Sequence, residues 1–235
     1  MSIKIDHIET FNWEGAVRGA RNPMNSWDKS DSYFDLAEDP SPINPNDEMI
    51  YRLGENDLKL LKRLANAGTD HRKFMRQIFV CMDITAPLYW WKEMDQYKVG
   101  TTTDSCSTMH KIASKEFTVD DFSHEHLCDE ALNILNDVID VLNDVRDGYV
   151  NWDRYRDCAN LEEWVTGQKA LWWQMIQLLP SSYNQKRTWS GTYENLANIY
   201  HARKNHKLDE WVEFCKVIER MPYAKELIVR EEKEK

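Results

Sequence analysis

Residues 76–110 read RQIFVCMDITAPLYWWKEMDQYKVGTTTDSCSTMH. The first ten, rich in Ile, Phe and Val, predict a β-strand over 76–85. Pro87 stands where a proline opens a helix, which PLYWWKEMDQY then continues. Gly100 and the hydroxyl-rich run after it read as a loop. Upstream, ENDLKLLKRLANA (55–67) is an amphipathic helix: Leu58, Leu61 and Leu64 share a face, Asn56 or Asp57 can cap its start and Gly68 can stop it. Residues 2–9 alternate Ile3, Ile5 and Ile8 imperfectly as a first strand. Residues 14–24 are ambiguous up to Pro23. The second half is helical, with apolar steps of three or four over 124–146, 159–178, about 192–204 and about 208–220. The fold class that follows is α/β (α+β): a central β-sheet flanked by helices with a helical C-terminal half. It forms a single domain over 1–235. Residues 25–50, with the prolines of PSPINP, read as an inserted loop with room for a short helix near Ser32–Ala37. Residues 230–235 read as a flexible tail.

The chain has 235 residues, with 30 Lys and Arg against 40 Asp and Glu and a net charge of −10. That weighs against a nucleic-acid polymer, which needs a broad basic face. A small phosphorylated ligand needs only a few local cations. Ten Trp, ten Tyr and seven Phe can fill a core, and can equally serve interfaces and flat-ring pockets. The five cysteines, Cys81, Cys106, Cys128, Cys158 and Cys215, are scattered and read as reduced thiols. With no apolar signal core and no membrane-length apolar run, the expected location is the cytoplasm.

No glycine-rich phosphate loop and no GxSxG elbow is present. His124 and His126 lie at i and i+2, where helical side chains diverge, so no metal site is expected. Cys106 with His110 could be a Cys–His nucleophile or a small thiol in an ordinary loop. The loop 101–108 offers hydroxyls and amides to an anion, or is merely polar. Ser190-Gly191-Thr192 precedes a helix and could meet a phosphate there. Arg203 stands near the end of that helix, where the dipole favours a cation in any case.

Two segments in this order, 86–110 and 178–211, resemble the flavin-dependent thymidylate synthase family (ThyX). The family shows a helix, a His-containing turn and a strand, matched by 55–67, His71 and 76–85. Ala86-Pro87 then introduces its signature. Its C-terminal pattern is met by Leu179-Pro180, Asn198, Arg203 and Glu210-Trp211-Val212-Glu213. The likeness covers most of 50–225. Where the family carries Arg-His-Arg, this chain has Gln96-Tyr97-Lys98 or Tyr97-Lys98-Val99. The signature's Ser-x-Arg-Tyr end becomes Ser107-Thr108-Met109-His110. A helix arginine of the family stands as Glu194.

The resemblance implies a thymidylate synthase-complementing protein-like fold and a homotetramer with its active site between subunits. It implies FAD as cofactor, NADPH and methylenetetrahydrofolate as co-substrates, and conversion of dUMP to dTMP. No protein nucleophile is implied. Carried over by position, Glu93, Ser105, Ser107 and Arg203 are expected to bind the nucleotide. His71, Tyr97, Lys98 and Asn198 are expected on the flavin side. Lys98, Lys111, Lys186, Arg187 or Arg21 are the cations available to replace the absent arginines. The altered signature also admits a pyrimidine nucleotide hydroxymethylase, or a non-catalytic relative that only binds nucleotide or flavin.

Overall fold

A computed structural model describes residues 3–36, 49–156 and 166–230. The fold is mixed α+β. Four strands form one sheet in the order β1-β4-β6-β5, with β1 at Lys4–Phe11, β4 at Phe79–Pro87, β5 at Thr102–Ser105 and β6 at Asn184–Thr192. A separate antiparallel hairpin pairs β2 (Tyr33–Leu36) with β3 (Met49–Arg52), Tyr33 opposite Arg52. By contact density the chain divides into two units: residues up to Lys4, Asp83–Gln96 and Thr103–Thr188, and Ile5–Met82, Tyr97–Thr102 and Trp189–Lys235.

In the first unit α3 (Leu88–Met94) buries Trp90 and Trp91, and Trp91 Nε1 donates to the Gln185 carbonyl at 2.9 Å. After the short α4 (Thr108–Lys111), the 22-residue α5 (Asp129–Val150) packs along α7 (Gln168–Leu178). Leu135, Ile139 and Leu142, spaced at four and three, meet Met175, Ile112, Phe117 and Phe122 in one apolar core. A one-turn helix, α6 (Trp152–Tyr155), follows α5. The expected helix over 159–178 is observed from Gln168, and its first residues lie outside the described ones.

In the second unit α1 (Trp13–Arg21) resolves the ambiguous segment 14–24 as a helix, with Trp13, Ala16 and Val17 buried. The helix α2 runs Glu55–Asn66, but neither Asn56 nor Asp57 caps it. Gly54 occupies the cap, and the Asp31 carboxylate reaches in from the preceding loop to accept the backbone N–H of Asn56 (2.9 Å) and of Asp57 (3.0 Å). Gly68, at φ +106°, follows the helix in a conformation a side chain would strain. Of the expected loop 25–50, the described residues include a 3-10 turn at Trp27–Lys29 and the two hairpin strands, and residues 37–48 lie outside the described ones. The helix expected near Ser32–Ala37 is therefore a strand as far as Leu36. Phe34 packs edge-on against Tyr51, 5.0 Å between centroids, and aromatic pairs of this kind favour the pleated ladder over a helix. The last two helices are α8 (Tyr193–Arg203) and α9 (Asp209–Glu219), followed by a π-turn at Lys225–Val229. Of the expected tail, residues 231–235 lie outside the described residues, and Arg230 is held within the fold by a bond to the Ala65 carbonyl (2.6 Å).

Gly191 near the end of β6 is required by packing rather than by torsion. A Cβ there would stand 2.5 Å from Cη2 of Trp189, a ring that is 1% exposed, and 3.3 Å from Cγ2 of Thr101. Gly191→Ala is expected to lower stability by about 1–3 kcal/mol through overpacking, measurable as a lower denaturation midpoint.

Candidate functional site

The segment 192–203 folds as a helix for local reasons. Thr192 Oγ1 accepts the Asn195 N–H, and Asn195 Oδ1 in return accepts the Thr192 N–H at 3.0 Å, a reciprocal cap. Tyr193, Leu196, Ala197, Ile199 and Tyr200 are buried and anchor the helix. Glu194, Asn198 and His201 fall at i, i+4 and i+7, so they share a stripe along one side. Replacing Thr192 with Ala removes the cap, and a loss of about 1 kcal/mol in unfolding free energy is expected.

The polar stripe faces cations. Arg72 Nε donates to Glu194 Oε1 at 3.2 Å and Arg72 Nη2 to Asn198 Oδ1 at 3.4 Å. Arg76 grips Glu194 with two nitrogens, Nε on Oε2 and Nη2 on Oε1. Both arginines come from the 3-10 turn Arg72–Arg76, whose Phe74 and Met75 are buried and hold it against the body of the unit. Further along, Arg230 Nη1 donates to the Ala65 carbonyl, and Arg230 Nη2 and His201 Nε2 stand 3.0 Å apart. Burial, and then the charge of Arg72, push the pKa of Arg230 down. Hydrogen bonding and the charge of Glu194 push that of Arg76 up.

At the C-terminal end of α8, Arg203 is built in from several sides. Its guanidinium lies over the rings of Trp211 (4.8 Å) and Tyr97 (5.5 Å), its Nε donates to the Tyr97 hydroxyl at 2.9 Å, and Nη1 stands 2.9 Å from Nε2 of His206. Cation–π contact with two rings that themselves meet edge-on, 6.0 Å between centroids, and a directional bond on the edge hold the group in place. Trp211 is fully buried on α9 and meets Phe214 edge-on. Such a fixed, half-buried guanidinium suits recognition of a phosphate or carboxylate.

The expected residues thus fall as follows. Tyr97 and Arg203 are in direct contact. Asn198 is exposed and bonded to Arg72, and His71, also exposed, immediately precedes that arginine. Lys98 is exposed. In the other unit, Glu93 is half-buried on α3, and Ser105 is exposed at the end of β5. Ser107 is the N-cap of α4, its Oγ accepting the His110 N–H at 3.3 Å. The loop expected after Gly100 is in part the strand β5.

Three cations considered as replacements for the signature arginines are committed elsewhere. Arg21, 4% exposed, is ion-paired with Asp57. Lys186 pairs with Asp83 at 2.8 Å. Arg187 pairs with Asp95 at 2.9 Å and lies 4.4 Å over the ring of Trp91. The sequence reading missed Arg72 and Arg76. The one signal for them was local, three cations within HRKFMR beside His71. Cys106 is an exposed free thiol, and Gln185 Nε2 donates to its carbonyl at 2.9 Å. Cys215 is buried, and burial with nearby Glu219 pushes its thiol up to about 12, a packing role. Among the described residues no cluster of three His, Cys, Asp or Glu side chains could hold a metal, and no helix is long and apolar enough to cross a membrane.

No protein-family model matches the chain, and no curated protein matches it in sequence. Solved structures do. One is the flavin-dependent thymidylate synthase ThyX of Helicobacter pylori complexed with FAD and dUMP. It is 14% identical, with a TM-score of 0.65 over 97% of this chain and 98% of that one. A second structure of ThyX from the same organism, also with FAD and dUMP, is 15% identical with a TM-score of 0.64 over 97% of each chain. The chain therefore shares the ThyX fold from end to end.

Proposed function

We propose that this chain is an FAD-dependent thymidylate synthase-like enzyme that converts dUMP to dTMP with methylenetetrahydrofolate and NADPH. The observation that carries the reading is Arg203. A residue assigned by position to the nucleotide is also an arginine held against two aromatic rings, at the end of a helix in a chain with the ThyX fold. A fold alone does not fix an activity, and the built-in guanidinium is what adds chemistry to the likeness.

The roles follow from the side chains. Arg203 holds the phosphate of the nucleotide, its position set by Tyr97 and Trp211. Ser105, Ser107 and Glu93 are assigned to the nucleotide by family position alone. His71 and Asn198, with Tyr97 and Lys98, face the flavin. When bound, the flavin supplies the reducing equivalents, so no protein nucleophile is needed. The residues present suit such a group: the stripe of α8 offers the Asn198 amide, and the turn that faces it offers the guanidinium groups of Arg72 and Arg76, to an anionic, ring-bearing ligand. A site made of half-exposed residues also accords with a homotetramer in which a second copy closes it. The clefts of about 830 Å³ beside Arg21 and 810 Å³ beside Trp13 hold none of the assigned residues.

A second reading rests on Glu194. A carboxylate where the family carries an arginine favours a relative that binds flavin or nucleotide without completing the reaction. The decisive measurement is the visible spectrum of the purified protein with and without added FAD, followed by mass analysis of dUMP after turnover with both co-substrates. Flavin absorbance and a product heavier by one methylene support the synthase. A hydroxymethylated product points to a nucleotide hydroxymethylase, and flavin without product to the non-catalytic relative. Absence of any flavin binding removes all flavin-dependent readings.

A further inference from the structure

The family likeness supplies no reason for two arginines to converge on Glu194, and their geometry carries its own consequence. Glu194 is 8% exposed, and a carboxylate that deep must be neutralised. One guanidinium would do so, yet two are present. Arg76 makes a two-nitrogen fork to both carboxylate oxygens, which spends its Nε–Nη2 edge and leaves Nη1 on the far side. Arg72 spends Nε on the same carboxylate and Nη2 on Asn198, again leaving Nη1. The side chain of Arg76 is 52% exposed and that of Arg72 17%. With one negative charge between them the pair keeps a net charge of +1, and Arg230 stands within electrostatic reach of Arg72. Among the described residues, the carboxylates whose charge is felt by Arg76 are Glu194 and Asp70. In a chain of net charge −10, this is a local excess of cations on one helix stripe.

We infer that the Nη1 groups these contacts leave on Arg72 and Arg76, oriented by Glu194, form a cradle for the diphosphate of a dinucleotide-type ligand. Two adjacent, separately fixed guanidinium edges match two linked phosphoryl groups better than one, which a single arginine would serve. The polarity of the site is thereby reversed relative to the family pattern. The helix position carries the anion, and the turn before β4 carries the cations. The identity of the ester that brings the diphosphate rests on the flavin reading above; the cradle itself does not.

The test is calorimetric titration of the full-length protein with inorganic pyrophosphate, alongside FAD titration followed by flavin fluorescence. Arg76→Gln and Arg72→Gln are each expected to weaken pyrophosphate binding by about tenfold, the worth of one charge-assisted contact. Lys59→Gln removes the same unit of charge from an exposed i,i+4 pair with Glu55 and is expected to change binding by less than about twofold. Circular dichroism checks that each variant is folded, and Arg72 remains to neutralise Glu194 when Arg76 is changed. Pyrophosphate binding that is absent from the parent chain, unchanged in both arginine variants, or equally weakened by Lys59→Gln overturns the cradle. If the parent binds FAD and the arginine variants bind it equally well, the cradle also falls while the flavin reading stands. If pyrophosphate binding depends on both arginines but FAD never binds, the cradle stands and the flavin reading falls. Parallel loss of both ligands supports both.

Discussion

Asp57→Ala is expected to lower the unfolding free energy by about 3–5 kcal/mol, a fall of roughly 10 °C or more in melting temperature. The side chain is fully buried and serves five donors. Arg21 Nε stands at 2.5 Å, the hydroxyls of Ser30 and Ser32 at 2.7 and 2.6 Å, and the backbone N–H groups of Asp31 and Ser32 both at 3.1 Å. Truncation leaves the Arg21 guanidinium, itself 4% exposed, without its counter-charge. It also frees the loop that delivers Asp31 to the start of α2, so the helix loses its cap as well. The effect carries a pH signature. Burial raises the Asp57 pKa, but the hydrogen bonds from Ser32, Ser30 and Arg21 outweigh it and hold the group below the ordinary 3.8. A depressed carboxylate stabilises the fold at pH above its unfolded value, near about 3.9, and that contribution is lost as pH falls through the folded value. The parent chain should lose stability steeply below about pH 4, and Asp57→Asn should flatten that limb. A parallel acid limb in both proteins would show that other carboxylates govern it.

The same knot illustrates what the sequence could and could not disclose. The helix at 55–66 is written in its leucines, and α9 in the spacing of Trp211, Phe214 and Ile218, because both bury a stripe whose period is local. The strand at 79–87 is legible for the same reason, with Val80, Met82, Ile84 and Ala86 buried in alternation. The strand β6 was not legible. Its buried positions are Gln185, Trp189 and Gly191, with Arg187 half-buried between them, so the alternation is not an apolar one. Gln185 is tolerated because its amide bonds Cys106 and Thr108, and Arg187 because it lies on Trp91 and pairs with Asp95. Those partners are about 75 to 100 residues away in sequence, so no local pattern announces them. The cap of α2 was misread for a related reason. Asp57 has the right chemistry for a cap, but the tertiary pairing with Arg21 claims it, and Asp31 from 25 residues upstream takes the task.

The candidate site divides in the same way. Asn198 and Arg203 could be named from the sequence because they stand at family positions on one helix. Arg72 and Arg76 could not, because nothing in HRKFMR says that Glu194, more than a hundred residues later, will lie opposite. Their convergence also changes the meaning of the missing helix arginine. The positive charge has not been lost from this part of the chain; it reaches the same helix from another segment.

Arg203→Ala is expected to weaken dUMP binding by about 30- to 100-fold, near 2–3 kcal/mol for a charge-assisted pair removed from a preformed setting. The stability cost should be small, about 0.3–1 kcal/mol for a cation at a helix C-terminus, because the side chain is only half-buried and α8 is anchored by Tyr193, Leu196 and Ile199. Lysine is the sharper probe. It keeps the charge but lacks the planar group that meets Trp211 and Tyr97 and cannot donate from a fixed edge, so Arg203→Lys should recover at most a few-fold of the loss. Tyr97→Phe isolates orientation from charge. It deletes the 2.9 Å bond to Nε while leaving the ring, and a loss of about fivefold is expected, the scale of one hydrogen bond. Titration calorimetry with dUMP, paired with thermal melts of each variant, separates the possibilities. A ligand-binding arginine gives large affinity losses graded Ala, then Lys, then the Tyr97 variant, over nearly constant melting temperatures. A cation that merely completes the helix end gives unchanged affinities and a small drop in stability, an outcome that would remove Arg203 from the site and with it the observation on which the enzymatic reading rests.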